Sequence, residues 1–472
     1  MRISQLDGLR VALWGWGREG RAAYAAVRRE SGVGDGEPKR LTLFCDPGEA
    51  VEAAAMHDPA LVIHTSVDAD ALAAFDVVIK SPGISPYGDH AMAAAARGTR
   101  FIGGTALWFA ARAPAGDVAR NTICVTGTKG KSTTTALLAH LLRAGGHRTA
   151  LAGNIGLPLL ELADDGNVEF HAIEVSSYQT GDVAESGVRP DVAVAVNIFP
   201  EHLDWHGSHA RYVSDKLRLL VDAEPRVAVV NSMDPILAAL QLPHSDVRWF
   251  GNEAGWHLRA ALLCKGARDV MDTAALPLPG HHNRNNLCAV LTAIDALGLD
   301  GASLAHHAAT FQPLPHRLQT LGTRDGVAYV NDSISTTPHA TLAALDVFSS
   351  QSVAVLVGGH DRGIDWDVFV EDIQRRPPHA IVTMGQNGPK IFEQVAAVAS
   401  SAGIALHAAE DLADAIRLAR RALPRTGGVI LMSPGAPSYG VYTGFVERGR
   451  DFARIAGFDP DAISAIAGIG IE

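Results

Sequence analysis

Short apolar runs rich in Val, Ile and Leu alternate along the chain with longer Ala- and Leu-rich stretches whose apolar positions recur at helical spacing. That alternation predicts βαβ units on parallel sheets, so the expected fold class is α/β from end to end. The first series of predicted strands is Arg10–Trp14, Leu41–Cys45, Val77–Lys80 and the shorter Phe101–Ile102, followed by an Ala-rich linker over Ala110–Gly116. A second series runs through Thr122–Val125, His171–Val175, Val192–Asn197 and Val227–Asn231. It stops near Gln312, where Pro313 and Pro315 cannot continue a helix. Val327–Val330, Val353–Val357, Ala380–Met384 and Val429–Met432 form the third. Three series in 472 residues suit about 150 residues per domain and predict domains over 1–113, 114–313 and 314–472.

Composition narrows the function classes. Hydrophobic residues make up 47% and charged ones 19%, enough apolar material for packed cores and no case for disorder. Lys and Arg number 40 against 51 Asp and Glu, a formal balance of −11 with no basic block, which excludes general nucleic-acid binding. Cys45, Cys124, Cys264 and Cys288 lack paired metal or redox spacing and read as reduced core residues. The first residues lack the apolar core of an export signal, and no apolar run reaches the ~18 residues of a membrane span. A cytoplasmic monomer without membrane insertion is expected.

Two glycine loops carry the candidate chemistry. Gly15-Trp16-Gly17-Arg18-Glu19-Gly20 lies between a predicted strand and a helical pattern, where glycines permit a tight turn and close approach of a phosphate to a helix N-terminus. Asp46, at the end of the next strand, would accept from a ribose or a base. By itself this loop fits either a nucleotide-like ligand or a packing turn. The second loop, Gly127-Thr128-Lys129-Gly130-Lys131-Ser132, also separates a strand from a helix. Its glycines let the backbone wrap phosphates, Lys131 would neutralise charge there, and Ser132 would ligate Mg²⁺. It is two residues shorter between its glycines than the common phosphate-loop pattern. Glu174 and His202 follow later strands of the same series, and ligands of open α/β sheets sit at that edge. A carboxylate, an imidazole and a hydroxyl make a plausible Mg²⁺ site.

The ordered set GTKGKST, EVSSYQ, NIFPEHLDWHGS, YVSDK, PGHHNRNN, LPHR, NDSISTTP and SPGAPSYG resembles the Mur ligase superfamily over essentially the whole chain. Within it the chain most resembles the type that adds glutamate to UDP-N-acetylmuramoyl-L-alanine in peptidoglycan precursor synthesis. The resemblance implies a Rossmann-like UDP-substrate domain, a central ATPase domain and a Rossmann-like amino-acid domain, with ATP and Mg²⁺ as cofactors. It places Gly127, Thr128, Lys129, Gly130, Lys131, Ser132 and Thr133 on ATP, with Asn283 and Asn286 toward adenine, and Arg317 and Asp332 reaching the nucleotide from the third domain. It assigns the metal to Ser132, Glu174, His202 and a carbamylated Lys216, and counts Lys131, Glu174, His202 and Lys216 as catalytic. It turns the first glycine loop into a site for the substrate's uridine diphosphate. Gly15, Gly17, Arg18, Glu19, Gly20, Asp46, Ser81, Pro82 and Gly83 serve that site, and Asn154 contacts the muramoyl part. Arg362 and Ser438 are implied for the glutamate carboxylates.

One position departs from the pattern. Where the family usually has a lysine that pairs with a carboxylate of D-glutamate, this chain has Ile334. An isoleucine cannot pair with an anion, and a buried carboxylate left uncompensated is costly. Together with the GTKGKS and NDSISTT variants, this resembles the branch that adds L-glutamate. The alternative is a D-glutamate ligase in which Lys129 or Arg362 compensates. More distant alternatives are a folylpolyglutamate synthase-like ligase, a nucleotide-hydrolysing switch and an NAD-dependent oxidoreductase using the first loop.

Overall fold

The structure is a computed structural model that describes all residues except 32–38, 163–165, 200–202, 464, 465, 467 and 472, and leaves the side chains of 203 and 204 undescribed. It holds three sheets. The first contains β1 (Val11–Trp14), β2 (Leu41–Phe44), β3 (Leu61–His64), β4 (Val77–Lys80) and β5 (Arg100–Ile102), all parallel in the order β3-β2-β1-β4-β5. The order reverses between β1 and β4, which opens a crevice at their carboxyl ends. Gly15 and Ser81 leave the sheet there, with Gly15 N–H bonded to Phe44 O and Ser81 N–H to Trp14 O, both at 2.8 Å.

The second sheet begins with β6 (Val118–Thr126), β7 (Thr149–Gly153), β8 (Phe170–Glu174), β9 (Arg189–Ala195) and β10 (Val227–Asn231). It continues with β11 (Asp246–Phe250), β12 (Trp256–Arg259), β13 (Leu262–Lys265) and β14 (Arg268–Asp272). The third has β15 (Gln319–Arg324), β16 (Val327–Asn331), β17 (Val353–Val357), β18 (Ala380–Thr383), β19 (Ala405–Ala408) and β20 (Gly428–Met432), in the order β15-β16-β20-β17-β18-β19. A last strand, β21 (Gly470–Ile471), joins the second sheet antiparallel to β7, where Arg143 donates to the carbonyls of Gly468 and Gly470. The second sheet therefore runs β14-β13-β12-β11-β10-β9-β6-β8-β7-β21. β6 lies between β8 and β9, both parallel to it, so its carboxyl end faces a second switch-point crevice.

The chain divides into two compact units: 1–276 with 282–311 and 468–472, and 277–281 with 312–467. The first carries two sheets and a core in which Leu13, Leu43, Trp16, Ile173, Tyr212 and Leu219 are almost fully buried. The second packs its sheet on both faces, one around Leu356, Ile430 and Phe452 and the other around Val355, Trp366 and Phe369.

The expected sheets are parallel throughout, whereas β12–β14, β15–β16 and β7–β21 pair antiparallel. The expected linker at Ala110–Gly116 is helical through Arg112, as the end of the helix Gly104–Arg112, whose first seven residues are buried. Alanine is the strongest helix former, and a buried Trp108 and Phe109 anchor the segment.

Candidate active site

The second glycine loop leaves β6 and enters the helix Lys131–Ala144. Gly127 has φ +154° and Gly130 +83°, conformations that favour glycine, and a Cβ on Gly130 would lie 2.8 Å from Asn286 Nδ2. Asn197, just past β9, clamps the loop: its Oδ1 accepts from the N–H groups of Thr128 (3.1 Å) and Lys129 (2.8 Å), and its Nδ2 donates to Lys129 O (2.9 Å). Lys131 Nζ curls back onto the carbonyls of Gly127 and Thr128, both at 2.9 Å. The ammonium thus sits inside the turn, where a phosphate would meet it. Ser132 and Thr133 follow in the first turn, Ser132 almost fully buried.

Three neighbours converge on this loop. Glu174 ends β8 in register with Val125 and is 1% exposed. Its Oε1 accepts from Asn154 Nδ2 at 2.8 Å, while its Oε2 is buried with no hydrogen-bond partner among the described residues. A carboxylate oxygen kept dry and unpartnered suits a hard cation, for which Ser132 would supply a further oxygen. Lys216, on the helix His209–Val221, is buried and donates to Gly127 O at 2.9 Å. Asn283 and Asn286 stand in the first turns of the helix His281–Ala296, with Asn286 against Gly130. His202 lies outside the described residues, and among those described no group of three or more His, Cys, Asp or Glu side chains gathers as a metal site.

Beside Lys216 is a network the sequence does not announce. Asp215 Oδ2 meets His206 Nδ1 at 2.6 Å, and its Oδ1 accepts from Tyr87 OH at 2.6 Å. His206 Nε2 meets Ser177 Oγ at 3.1 Å, and Thr180 Oγ1 donates to Asp215 O at 2.7 Å. One turn earlier, Tyr212 OH lies 2.6 Å from Thr128 Oγ1. These bonds hold the lysine's helix against the second glycine loop, the segment after Glu174 and the segment after β4.

At the first switch point, Gly15 has φ +92°, and a Cβ there would lie 2.7 Å from Ser81 Oγ, a buried hydroxyl with no partner among the described residues. A Cβ on Gly20 would reach Gly15 O at 2.1 Å, whereas Gly17 faces open space. Pro82 O accepts from Trp205 Nε1 at 3.1 Å, which fixes the Ser81-Pro82-Gly83 turn. Arg18 donates to Gly156 O at 2.6 Å, beside Asn154. Glu19 is half-buried, and burial with the nearby Asp182 charge pushes its carboxyl up to about 7. Burial pushes Asp182 up to about 6 against the pull of Lys80. Asp46 is occupied locally: its Oδ1 caps the helix Pro47–Ala54 by accepting from Glu49 N–H at 2.8 Å.

In the second unit, Asp332 follows β16 and is buried under bonds from Ser335 Oγ, from Ser433 Oγ (2.8 Å) and from Leu318 N–H (3.1 Å). Burial raises its carboxyl to about 6 despite these donors and the nearby Arg317. Arg362 is exposed, its guanidinium 5.4 Å from the Tyr439 ring centroid, and Ser438 is buried on the neighbouring loop. Ile334 is half-buried, with its N–H bonded to His316 O at 3.2 Å.

Residues 125–294 match the Mur ligase middle domain, and 316–435 match the Mur ligase, glutamate ligase domain. A protein of Xanthomonas campestris pv. campestris (strain 8004) named UDP-N-acetylmuramoyl-L-alanine--L-glutamate ligase is 62% identical over 473 residues, spanning all of both chains. Proteins of the same name from Xylella fastidiosa (strain 9a5c) and Salinispora tropica are 60% and 37% identical, the latter over 96% of this chain and 98% of its own. Among solved structures, the UDP-N-acetylmuramate-alanine ligase MurC from Thermotoga maritima is similar in fold, with a TM-score of 0.57 at 18% identity over 94% of this chain and 98% of that one. Among the described residues no helix is long and apolar enough to cross a membrane.

Proposed function

The chain belongs to the Mur ligase family, and from that premise we propose that it joins L-glutamate to UDP-N-acetylmuramoyl-L-alanine, converting ATP to ADP and phosphate in peptidoglycan precursor synthesis. The observation that carries the choice of amino acid is the full-length identity of 62% to a ligase named for L-glutamate, together with an apolar Ile334.

A carboxylate is a poor electrophile at neutral pH, so amide formation needs activation. In the proposed reaction an oxygen of the alanyl carboxylate attacks the γ-phosphorus of ATP and ADP leaves, giving an acyl phosphate. The amine of glutamate then attacks the acyl carbon, loses a proton, and phosphate departs with the oxygen it took from the carboxylate. The wrapped N–H groups of residues 127–132 and the Lys131 ammonium meet the phosphates, and Asn197 keeps that turn in shape before the nucleotide arrives. Asn283 and Asn286 receive the adenine side, and Arg317 and Asp332 also serve the nucleotide. Glu174, Ser132, His202 and Lys216, the last as a carbamate, would hold Mg²⁺. Bound there, the metal supplies charge neutralisation at the phosphoryl oxygens.

The first switch point takes the uridine diphosphate of the substrate: Gly15, Gly17 and Gly20 with Arg18 and Glu19 line the turn, the orphaned Ser81 hydroxyl offers a donor, and Pro82, Gly83 and Asp46 complete the rim. Asn154 meets the muramoyl part, while Arg362 and Ser438 meet glutamate. Gripping two anionic substrates beside a nucleotide supplies the proximity that the second step requires. We infer a cytoplasmic enzyme that acts as a monomer.

The test is ligation by the purified chain with UDP-N-acetylmuramoyl-L-alanine, ATP and each glutamate enantiomer in turn. Product and phosphate should form with L-glutamate and depend on all three substrates. Preference for the D-form would refute the choice of enantiomer, and phosphate release without amino acid would favour a nucleotide-hydrolysing switch.

A further inference from the structure

The second unit buries a guanidinium that, among the described residues, no carboxylate bonds directly. Arg448, on the helix Phe445–Ile455, is 2% exposed. Its Nε donates to Ser333 Oγ at 3.1 Å, and one terminal nitrogen donates to the carbonyls of Ser333 (2.8 Å) and Ala436 (3.0 Å). The other terminal nitrogen donates to Ala436 O at 3.0 Å. All these acceptors are neutral, and among the described residues Arg448 forms no ion pair. Burial lowers it to about 10, so it remains a cation at neutral pH. The neighbouring Asp332 attracts it without bonding it, since its oxygens accept from Ser335, Ser433 and the Leu318 N–H. A dry cation hydrogen-bonded only to neutral oxygens, with its nearest carboxylate bonded elsewhere, is costly unless a further anion joins it.

Its place in the fold says where that anion would come from. Ser333 lies just past β16 and Ala436 just past β20, and Gly359 just past β17; a Cβ on Gly359 would fall 3.1 Å from an Arg448 terminal nitrogen. β20 lies between β16 and β17, so these three loops share one carboxyl edge of a parallel sheet, the edge at which such sheets bind ligands. Arg362 and Ser438 stand on two of the loops, and Ile334 adjoins Ser333 without adding charge.

We propose that Arg448 is a positioning residue for the amino-acid substrate, tying the three loops into one pocket and supplying the buried positive field that draws the carboxylates of L-glutamate. The inference rests on the ligase reading above and adds to it the group that organises the amino-acid site.

The experiment is steady-state kinetics on the full-length chain and its Arg448→Lys, Arg448→Ala and Ser333→Ala variants, each checked for folding by circular dichroism. Arg448→Lys keeps a charge but loses the fork, so KM for L-glutamate should rise about tenfold or more while KM for ATP and for the UDP-substrate stay within about twofold. Arg448→Ala should regain part of its L-glutamate turnover with added millimolar guanidinium. Ser333→Ala leaves the charge in place and loosens its seat, and should raise KM for L-glutamate by about threefold alone. Should Arg448→Lys fail to fold, Ser333→Ala decides. An unchanged glutamate KM in the folded variants, or an equal rise in all three KM values, overturns the proposal. A wild-type chain that does not turn over L-glutamate overturns the ligase reading, and the proposal with it.

Discussion

Replacing Asn197 by Ala removes three hydrogen bonds from the phosphate loop in one step. Its Oδ1 accepts from Thr128 and Lys129, and its Nδ2 donates to Lys129 O. At about 0.5–1.5 kcal/mol per bond the three amount to about 1.5–4.5 kcal/mol. Thr128 N–H keeps a second acceptor, Asn197 O at 2.9 Å, which the substitution does not touch, so the lower end, about 2 kcal/mol, is expected. That loss lowers Tm by about 3 °C, because the unit formed by 1–276, 282–311 and 468–472 has a large unfolding entropy. If the nucleotide has to reorder the slackened turn, the same free energy appears as about 30-fold weaker ATP binding. Asn197→Asp keeps both acceptor contacts but loses the donor and places a negative charge beside the phosphates, so it should harm ATP affinity more than stability. Tm by circular dichroism and KM for ATP by phosphate release measure the two effects separately. A folded Asn197→Ala chain with an ATP KM within about twofold of wild type would refute the assignment of this turn to the nucleotide.

Lys131→Ala should abolish phosphate release while the fold survives, because it removes bonds to two carbonyls of its own loop and none that joins β-strands; near-normal turnover would remove the cradle assignment. Lys216→Ala should lose activity and regain part of it with short carboxylic acids that mimic a carbamate, read as a dose-dependent rise in product; an equal effect of those acids on wild type would count against a carbamate. Glu19 and Asp182 bind protons more tightly folded than unfolded, so stability contributed by their neutral forms is present below about pH 4 and is lost as pH rises through about 6 to 7. Thermal melts should show wild type losing about 1–3 kcal/mol relative to Glu19→Gln between pH 5 and pH 8, and parallel pH profiles would contradict the coupling.

The second glycine loop was legible as a tight strand-to-helix turn because a strand pattern and a helix pattern abut it, and two glycines mark the backbone that must bend. Glu174 was legible for the same reason, as a carboxylate ending a strand of the same series. The short strands β7, β11 and β19 were hidden: Thr149–Gly153 reads as small residues, and Asp246–Phe250 carries two charges. Asn197 reads from the sequence as the tail of a strand, yet the strand ends at Ala195 and the freed side chain clamps the loop. The set Tyr87, Ser177, His206 and Asp215 draws on three separate stretches of chain, with only His206 and Asp215 near in sequence, and folding brings them together. A hint was available in the spacing of His206 before Asp215, but a histidine one turn ahead of a helix is commonplace. Arg448 left no signal, since an arginine in an amphipathic helix reads as a solvated charge until its burial is seen.

In the proposed reaction the acid oxygen itself captures the terminal phosphoryl group. The most direct measurement uses UDP-N-acetylmuramoyl-L-alanine with ¹⁸O in its alanyl carboxylate, followed by mass spectrometry of the phosphate released during ligation with L-glutamate. One labelled oxygen should appear in each phosphate and one should stay in the new amide. Unlabelled phosphate formed alongside product would contradict the account.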